Sequence, residues 1–417
     1  MADQAPAGER QRAGQYRYLP VLTWSLLALL FIYFAVWFFF YRPSTEQRLQ
    51  AAAFGDALDA IASQYVEPVD RTMLYRGAMM GMIASLKDKY SWYLTPSQLT
   101  ELNDETKGEF GGVGIVLSGE TGKAVVQDVI KDGPAARAGI SPGDVIVKVD
   151  GEDVTGASLD KTAALVRGRP GSTVAIEVRR GADGQTLVFK VTREVIELPD
   201  LRSEMLADGI GQLGLIRFDE NSADRVRQAL TDLDSKGLKG LILDLRGNAG
   251  GLVEQATRIC DLFLDSGRII SLKGRSPKPE PPVDAKPGVV LPMAVPVVVL
   301  VDHGTASAAE ILGGALQANG RATVVGTGTV GKGAVMSVLR LADGSGLFLT
   351  VAHYELAGGA VIEGTGIKPD VVVGELPPVP KGLEPARARE WYLDQYVKAR
   401  KEQLDRAVEL LKQKLAG

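Results

Sequence analysis

Between Arg17 and Arg42 the chain carries no charged residue. At 1.5 Å of rise per residue a helix over Tyr18–Tyr41 reaches about 36 Å, more than the roughly 30 Å of a hydrocarbon core. The run therefore predicts a single transmembrane helix. Trp24, Tyr33, Trp37 and Tyr41 supply aromatic rings, and those near the ends suit a membrane interface. The stretch ends Phe38-Phe39-Phe40-Tyr41-Arg42, with no small-residue cleavage site, so the anchor is expected to be retained. Arg10, Arg12 and Arg17 outweigh Asp3 and Glu9 in the leading tail. The positive-inside rule then puts residues 1–17 in the cytoplasm and everything after Arg42 outside it, on the far side of an inner membrane crossed once. A buried core helix is the competing reading, which length and position disfavour.

Composition excludes several classes of chemistry. Lys plus Arg (47) nearly balances Asp plus Glu (51), a formal charge of −4 without a basic patch, so no nucleic acid is expected as a partner. Cys260 is the single cysteine, which excludes an internal disulfide and a thiolate-built zinc site. His303 and His353 are the only histidines. No metal centre or cofactor is expected, and a histidine general base has two candidates.

Beyond the anchor, patterning reads as an α/β (α+β) multidomain chain. Residues 42–105 form a helical N-terminal segment, with Leu49, Ala53, Leu58 and Ile61, then Met73, Ala78, Met82 and Leu86, at helical spacing up to about residue 94. Residues 106–195 change to short β-rich runs at Val113–Leu117, Ala124–Val129, Val145–Val149, Thr173–Arg179 and Thr186–Thr192, with one helix at Ser158–Arg167. That content describes a compact, partly open barrel. Residues 196–375 alternate strands with helices from Gly209 onward: Gln212–Phe218, a helix ending at Ser235, Gly240–Leu245, Leu252–Leu264, Val295–Val301 and Ala306–Gln317. Ala322–Val325, Val335–Arg340 and Gly346–His353 complete a sheet, and the Pro-rich Ser276–Pro292 reads as an exposed loop. Residues 376–417 are a linker and an amphipathic helix over Pro385–Leu415, with Leu404, Val408 and Leu411 on one side. That face packs on its own core or on a second copy, and the sequence leaves both open.

Three strand-to-helix or strand-to-loop turns could carry chemistry. In His303-Gly304-Thr305-Ala306-Ser307-Ala308-Ala309-Glu310 a strand ends and a helix begins at or just after Ser307. This exposes a serine beside unpaired helix N–H groups, although serine at a helix start is most often only a cap. Thr329-Val330-Gly331-Lys332-Gly333 sets a lysine between glycines, which alone is any surface loop. Asp244-Leu245-Arg246-Gly247-Asn248-Ala249-Gly250-Gly251 could line an anion site or be a plain β–α turn.

Together these segments resemble the carboxy-terminal processing, or tail-specific, proteases. The family's serine turn, roughly Gly-Ser-Ala-Ser-Ala-Ser-Glu, corresponds to Gly304–Glu310, and its Thr-x-Gly-Lys-Gly-x-Val-Gln to the segment from Thr329. Its Asp-Leu-Arg-x-Asn-x-Gly-Gly is Asp244–Gly251, and its Gly-Ile-x-Pro-Asp is Gly366–Asp370. Ser307 and Lys332 stand 25 positions apart, as in the family. The resemblance covers nearly everything outside the anchor. It implies a crotonase/ClpP-like α/β protease core with Ser307 as nucleophile and Lys332 as general base. The Ala308 N–H and a glycine N–H from Gly250-Gly251 would form the oxyanion hole. One position departs: Met336 stands where the family has a glutamine that holds the lysine amine, and it cannot make that bond at comparable strength. Either the pair works as a dyad, or a group such as Thr329 or Ser337 orients the amine. His303 sits four residues before the serine, where the family has asparagine, and either histidine as base remains a minor alternative.

A lysine base is physically demanding, since with a reference pKa near 10.4 only about four in ten thousand lysines are neutral at pH 7. Removing the amine from water favours the neutral form, so Lys332 is expected to be largely buried, with no carboxylate partner.

Phe110-Gly111-Gly112-Val113-Gly114-Ile115 is similar to the carboxylate-binding loop of PDZ domains, and Pro134–Ile140 with Gly143–Gly151 supports the same resemblance. It implies that a peptide tail adds as a strand, its terminal carboxylate held by loop N–H groups around Gly112, Val113, Gly114 and Ile115. Val113 and Ile115 are expected to flank an apolar pocket for the last side chain. Arg167 is a candidate link between this module and the protease core, or an ordinary surface arginine. The expected protein is thus a membrane-anchored serine endopeptidase, regulated by its PDZ module and acting outside the cytoplasm. Its partners would be protein substrates with free apolar C-terminal tails, with a homodimer or an adaptor left open. The alternative is a catalytically impaired, PDZ-bearing peptide-binding scaffold on the membrane, which Met336 favours and the intact Ser307, Lys332 and glycine turns oppose.

Overall fold

The computed structural model describes residues 29–33, 44–107, 109–118, 123–181, 184–197, 201–275 and 281–416. Most of the expected span Tyr18–Tyr41 lies outside them, and its described part, 29–33, is helical. Among the described residues no helix is long and apolar enough to cross a membrane.

The chain divides into residues 1–85 and 86–417. The first unit holds the helices Thr45–Gln64 and Arg71–Ala84. Ser44 and Gln47 form a reciprocal capping box at the start of the first, and Asp70 accepts the Thr72 N–H at 2.8 Å at the start of the second. The helical reading stops earlier than the spacing suggested. Trp92–Leu94, within the second unit, is a strand that pairs antiparallel with Gly346–Leu356. Trp92 stacks on Phe348 at 5.6 Å, a cross-strand contact that helical periodicity does not register.

Within the second unit, the strands Ile115–Ser118, Ala124–Val129, Val145–Val149, Thr173–Arg180 and Gln185–Thr192 form one antiparallel sheet in sequence order, with Glu152–Asp153 added to Val145–Val149. Val126, Ile146, Val174, Ile176 and Val178 fill its interior. Glu109–Gly112 pairs with Glu194–Glu197 and closes the two ends of this module. The helix Leu159–Val166 starts where Ser158 accepts the Lys161 N–H. The strand expected from Val113 begins only at Ile115, because Gly114 takes φ 75° and turns the chain first.

The other large sheet has six strands in the order Leu201–Met205, Ile210–Leu215, Gly240–Asp244, Val297–Val301, Ala322–Gly326 and Val371–Val372, parallel except for the first pair. Alternation along these strands supplies both faces with apolar side chains, as a parallel sheet covered on both sides requires. Leu241, Leu243, Val297, Val299 and Val301 pack with the helices Ser222–Ser235, Val253–Cys260 and Ala308–Ala318. Ile242, Val298 and Leu300 face the opposite way and pack with Ala407 and Leu411 of the helix Pro385–Ala416, while Leu404 and Val408 join at the edge. The apolar face of the C-terminal helix therefore covers its own core.

A second antiparallel sheet carries Gly346–Leu356 between Arg268–Gly274 and Ala334–Arg340, with Val283–Asp284 on its rim. Two of these strands, and Leu201–Met205, were hidden in the sequence by their mixed polar composition. Within the Pro-rich stretch, residues 276–280 lie outside the described residues. Val283–Asp284 pairs with Arg268 and Ile270, and Leu291 is buried, so this segment is not simply an exposed loop.

Candidate active site

Ser307 sits at the sharp junction between the strand Val297–Val301 and the helix Ala308–Ala318, 8% exposed. Its backbone adopts φ 56° and ψ −119°, a region that costs an L-residue energy and recurs where a nucleophile is presented on a strand-to-helix turn. The turn before it is heavily tied. Asp302 Oδ1 accepts the N–H groups of Gly304 (2.9 Å) and Gly247 (2.8 Å). Thr305 Oγ1 donates to Leu245 O at 2.8 Å, and the Ala306 N–H donates to Asn248 O at 2.9 Å. These bonds knit the serine turn to the Asp244–Gly251 turn of the adjacent strand.

Gly250 makes that contact close. A Cβ there would lie 2.7 Å from Ser307 Cβ and 2.9 Å from Ala306 O, and its φ of 102° favours glycine as well. Its N–H is already used, donating to Asn248 Oδ1 at 2.8 Å. Of the two glycine donors expected for an oxyanion, Gly250 is thus occupied. Among the described residues no acceptor takes the N–H of Gly251 or of Ala308. The Asp244–Arg246 part of the motif is structural: Arg246 pairs with Asp244 through two bonds of 2.8 and 2.6 Å and donates to Arg400 O of the C-terminal helix at 2.6 Å.

Lys332 lies on the loop joining Ala322–Gly326 to Ala334–Arg340, and its backbone is held by two carboxylates. Glu310, with no exposed surface, accepts the N–H groups of Ser307 (2.7 Å), Gly331 (2.7 Å) and Lys332 (2.9 Å) as well as the Thr329 hydroxyl. Glu363 accepts the Gly333 N–H at 2.8 Å. A carboxylate with no cation beside it is tolerable in the interior only when its lone pairs are filled, and four donors, one from the helix start and three from the loop at 329–332, fill them. From the other side, Tyr354 Oη shares its one proton between the carbonyls of Lys332 (2.6 Å) and Ser307 (3.0 Å), the nearer taking the larger part. Burial pushes the Tyr354 phenol far up, with the negative charge of Glu310 and Glu363 adding to it, so it keeps the proton that it donates.

The Lys332 side chain is half-buried rather than buried. Its amine stands 5.2 Å from the centroid of the Tyr90 ring, and among the described residues no carboxylate pairs with it and no hydrogen bond joins it to Ser307 Oγ. Neither suggested orienting hydroxyl reaches the amine. Thr329 Oγ1 is turned to Glu310 and also accepts the Ile367 N–H at 2.7 Å, while Ser337 is exposed. Met336 Sδ lies 3.3 Å from Thr350 Oγ1. His303 and His353 are both exposed, and neither is bonded to Ser307. Cys260 is completely buried, and burial pushes its thiol up, away from any nucleophilic role.

Glu310, Tyr354 and Tyr90 had no role assigned from the sequence. Glu310 carried a signal, since Ser307-x-x-Glu310 has the spacing of a capping box. Tyr354 and Tyr90 arrive from distant strands and turns.

The PDZ-like module presents a groove of about 490 Å³ lined by Gly111–Leu117, Ile130, Leu159, Ala163, Val166, Arg167 and Ile196. Val113 is buried and Ile115 half-buried beside it. Among the described residues the N–H groups of Val113 and Gly114 have no acceptor. Arg167, which the sequence offered as a link to the protease core, borders this groove.

Residues 209–373 match the model of Peptidase family S41, residues 111–191 that of the PDZ domain, and residues 42–97 that of the activating protease CtpB N-terminal domain. The chain is 39% identical over 340 residues to the carboxy-terminal-processing protease of Bartonella bacilliformis, covering 80% of this chain and 78% of that one. It is 38% identical over 322 residues to the carboxy-terminal processing protease CtpA of Bacillus subtilis, covering 77% of this chain and 68% of that one. Similarity of this extent, over the segments that build the serine turn and the lysine loop, settles the family: the chain belongs to the carboxy-terminal processing proteases of peptidase family S41, serine-type peptidases, and carries a PDZ domain.

Proposed function

We propose that Ser307 is the nucleophile and Lys332 the general base of an endopeptidase that acts on proteins presenting a free, apolar C-terminal tail. The neutral amine of Lys332 takes the proton of the Ser307 hydroxyl as Oγ adds to the scissile carbonyl. The oxyanion forms against the N–H groups of Ala308 and Gly251. Collapse to the acyl-enzyme expels the new amine, which takes the proton from Lys332, and water then enters by the reverse sequence. The observation that carries this reading is the single carboxylate of Glu310 bonded to the backbone of both Ser307 and Lys332, which fixes the two turns against each other.

The tail would bind as an added strand in the groove beside Gly112, Val113, Gly114 and Ile115, its carboxylate on the N–H groups of Val113 and Gly114 and its last side chain among Val113, Ile115 and Ile196. Arg167 at the groove's border adds a positive charge near that carboxylate. Tail capture by the PDZ domain brings Ser307 Oγ and Lys332 Nζ into hydrogen-bond reach, as catalytic pairs tighten once substrate is bound. The uncharged run Tyr18–Tyr41 anchors the enzyme in the inner membrane, with the peptidase outside the cytoplasm.

The test is cleavage of an unfolded, apolar-tailed protein by wild type and by Ser307→Ala, repeated with the tail amidated. Loss of cleavage in the variant and weakened binding of the amidated tail support the reading. Tail binding without any Ser307-dependent cleavage supports the scaffold alternative, which the methionine at 336 favours.

A further inference from the structure

We propose that Tyr90 is the positioning residue of Lys332: its ring face holds the amine in a chain whose residue at 336 cannot. The inference rests on the reading of Lys332 as general base. Its starting point is that the amine has neither a carboxylate nor an amide partner among the described residues, and that the side chain it does meet is Tyr90, 5.2 Å from amine to ring centroid. Attraction between a cationic amine and an aromatic face acts within about 6 Å. The contact restrains the amine by a ring face and not by a carboxylate.

The ring is itself held from below. Asp88 accepts the Tyr90 N–H at 3.1 Å, the Ser91 hydroxyl at 2.5 Å and the Thr350 hydroxyl at 2.7 Å, while Ser91 Oγ accepts the Thr350 N–H at 3.1 Å. One carboxylate thus fastens the turn carrying Tyr90 to the strand Gly346–Leu356. Met336 lies opposite Thr350 on the neighbouring strand, just past a register shift at Val335. The single proton of the Thr350 hydroxyl goes to the carboxylate, the far stronger acceptor, and the thioether at 3.3 Å only packs. Asp88, Ser91 and Thr350 therefore tie the turn that carries Tyr90 to the strand Gly346–Leu356, beside Met336. Lys89, exposed, places its own ammonium 4.6 Å from the same centroid and hydrogen-bonds to the Tyr90 side chain.

The test uses the full chain and two readouts: cleavage of an apolar-tailed substrate, and the rate at which a small fluorophosphonate labels Ser307, which needs no tail. Tyr90→Phe keeps the face and is expected within about twofold of wild type; Tyr90→Leu removes it and is expected to lose about tenfold or more in kcat and in labelling, with KM unchanged. Met336→Gln added to Tyr90→Leu is expected to recover much of that loss, because an amide again holds the amine. Pentafluorophenylalanine at position 90 keeps shape but reverses the charge of the face; if Tyr90→Leu does not fold, this isosteric change must lower the labelling rate. The inference is overturned if Tyr90→Leu labels at the wild-type rate, if Tyr90→Phe loses as much as Tyr90→Leu, if the loss lies in KM, or if the fluorinated ring changes nothing. A Lys332→Ala enzyme with undiminished labelling would instead overturn the general-base reading beneath it.

Discussion

Glu310 and Tyr354 grip the same two residues from opposite sides: the carboxylate accepts the N–H groups of Ser307 and Lys332, and the one proton of the phenol is shared between their carbonyls. Four backbone groups of the two catalytic candidates are thereby fixed by two buried side chains, neither of which touches Lys332 Nζ by hydrogen bond. Conversion of Glu310→Gln leaves the amide one acceptor oxygen for four donors and places an NH₂ against N–H groups. Unmet buried hydrogen bonds of this kind cost about 1–3 kcal/mol each. Turnover is expected to fall by two orders of magnitude or more, which is about 2.7 kcal/mol, while the affinity of the PDZ domain for a tailed peptide stays unchanged. Steady-state kinetics and peptide titration measure the two separately.

Removing only the phenol oxygen is gentler. Tyr354→Phe keeps the buried ring and leaves the Lys332 carbonyl without a donor, while Ser307 O keeps the Ile311 N–H at 3.0 Å, so unfolding free energy is expected to drop by about 1–3 kcal/mol. Denaturant titration gives that number, and kcat is expected to fall while KM holds.

At Gly250 the constraint is steric. Gly250→Ala would push a methyl to within 2.7 Å of Ser307 Cβ and impose a Cβ on φ 102°. Labelling of Ser307 by a fluorophosphonate is expected to fall below a tenth of the wild-type rate, whereas tail binding by the PDZ domain should not change. Gly143→Ala is the control: it also carries a positive φ but meets nothing within 4 Å.

Asp88 should give the strap behind Tyr90 an acid limit. The Ser91 hydroxyl holds its carboxyl below the ordinary value of 3.8; burial opposes this, and Thr350, the Tyr90 N–H and His353 add to the lowering. A depressed folded-state pKa means stabilisation that is complete above the unfolded value and is lost as pH falls through the folded one. The stability gap between wild type and Asp88→Asn is therefore expected to be constant from neutral pH down to about pH 5 and to close only below about pH 4. A gap that closed between pH 7 and pH 5 would contradict this.

Much of this architecture is visible in local pattern. Strand-to-helix turns at Ser307 and at Gly247–Gly251 follow from apolar runs that end in small residues, and the strand–helix alternation after Gly209 follows from the same runs. What escaped was set by distant partners. Trp92–Leu94 becomes a strand because Phe348 stacks on it. Arg268–Gly274 is a strand because Gly346–Leu356 pairs with it. In the site, the serine and lysine loops could be matched by spacing, but Tyr354 could not. Which residues of Gly346–Leu356 point inward depends on a register that includes a shift near Val335. The glycine pair shows the same limit: that Gly250 spends its N–H on Asn248 while Gly251 keeps its own is a matter of turn geometry, invisible in two identical letters.

The most direct measurement is the rate of tail-dependent proteolysis by Lys332→Met beside wild type, with the folded state of both verified by their unfolding transitions. Methionine keeps the length and apolar stem of the lysine and removes the base. General-base catalysis contributes about 10²–10⁴-fold, so a loss in that range at every pH is the result expected. Turnover by Lys332→Met within a factor of a few of wild type would contradict the account.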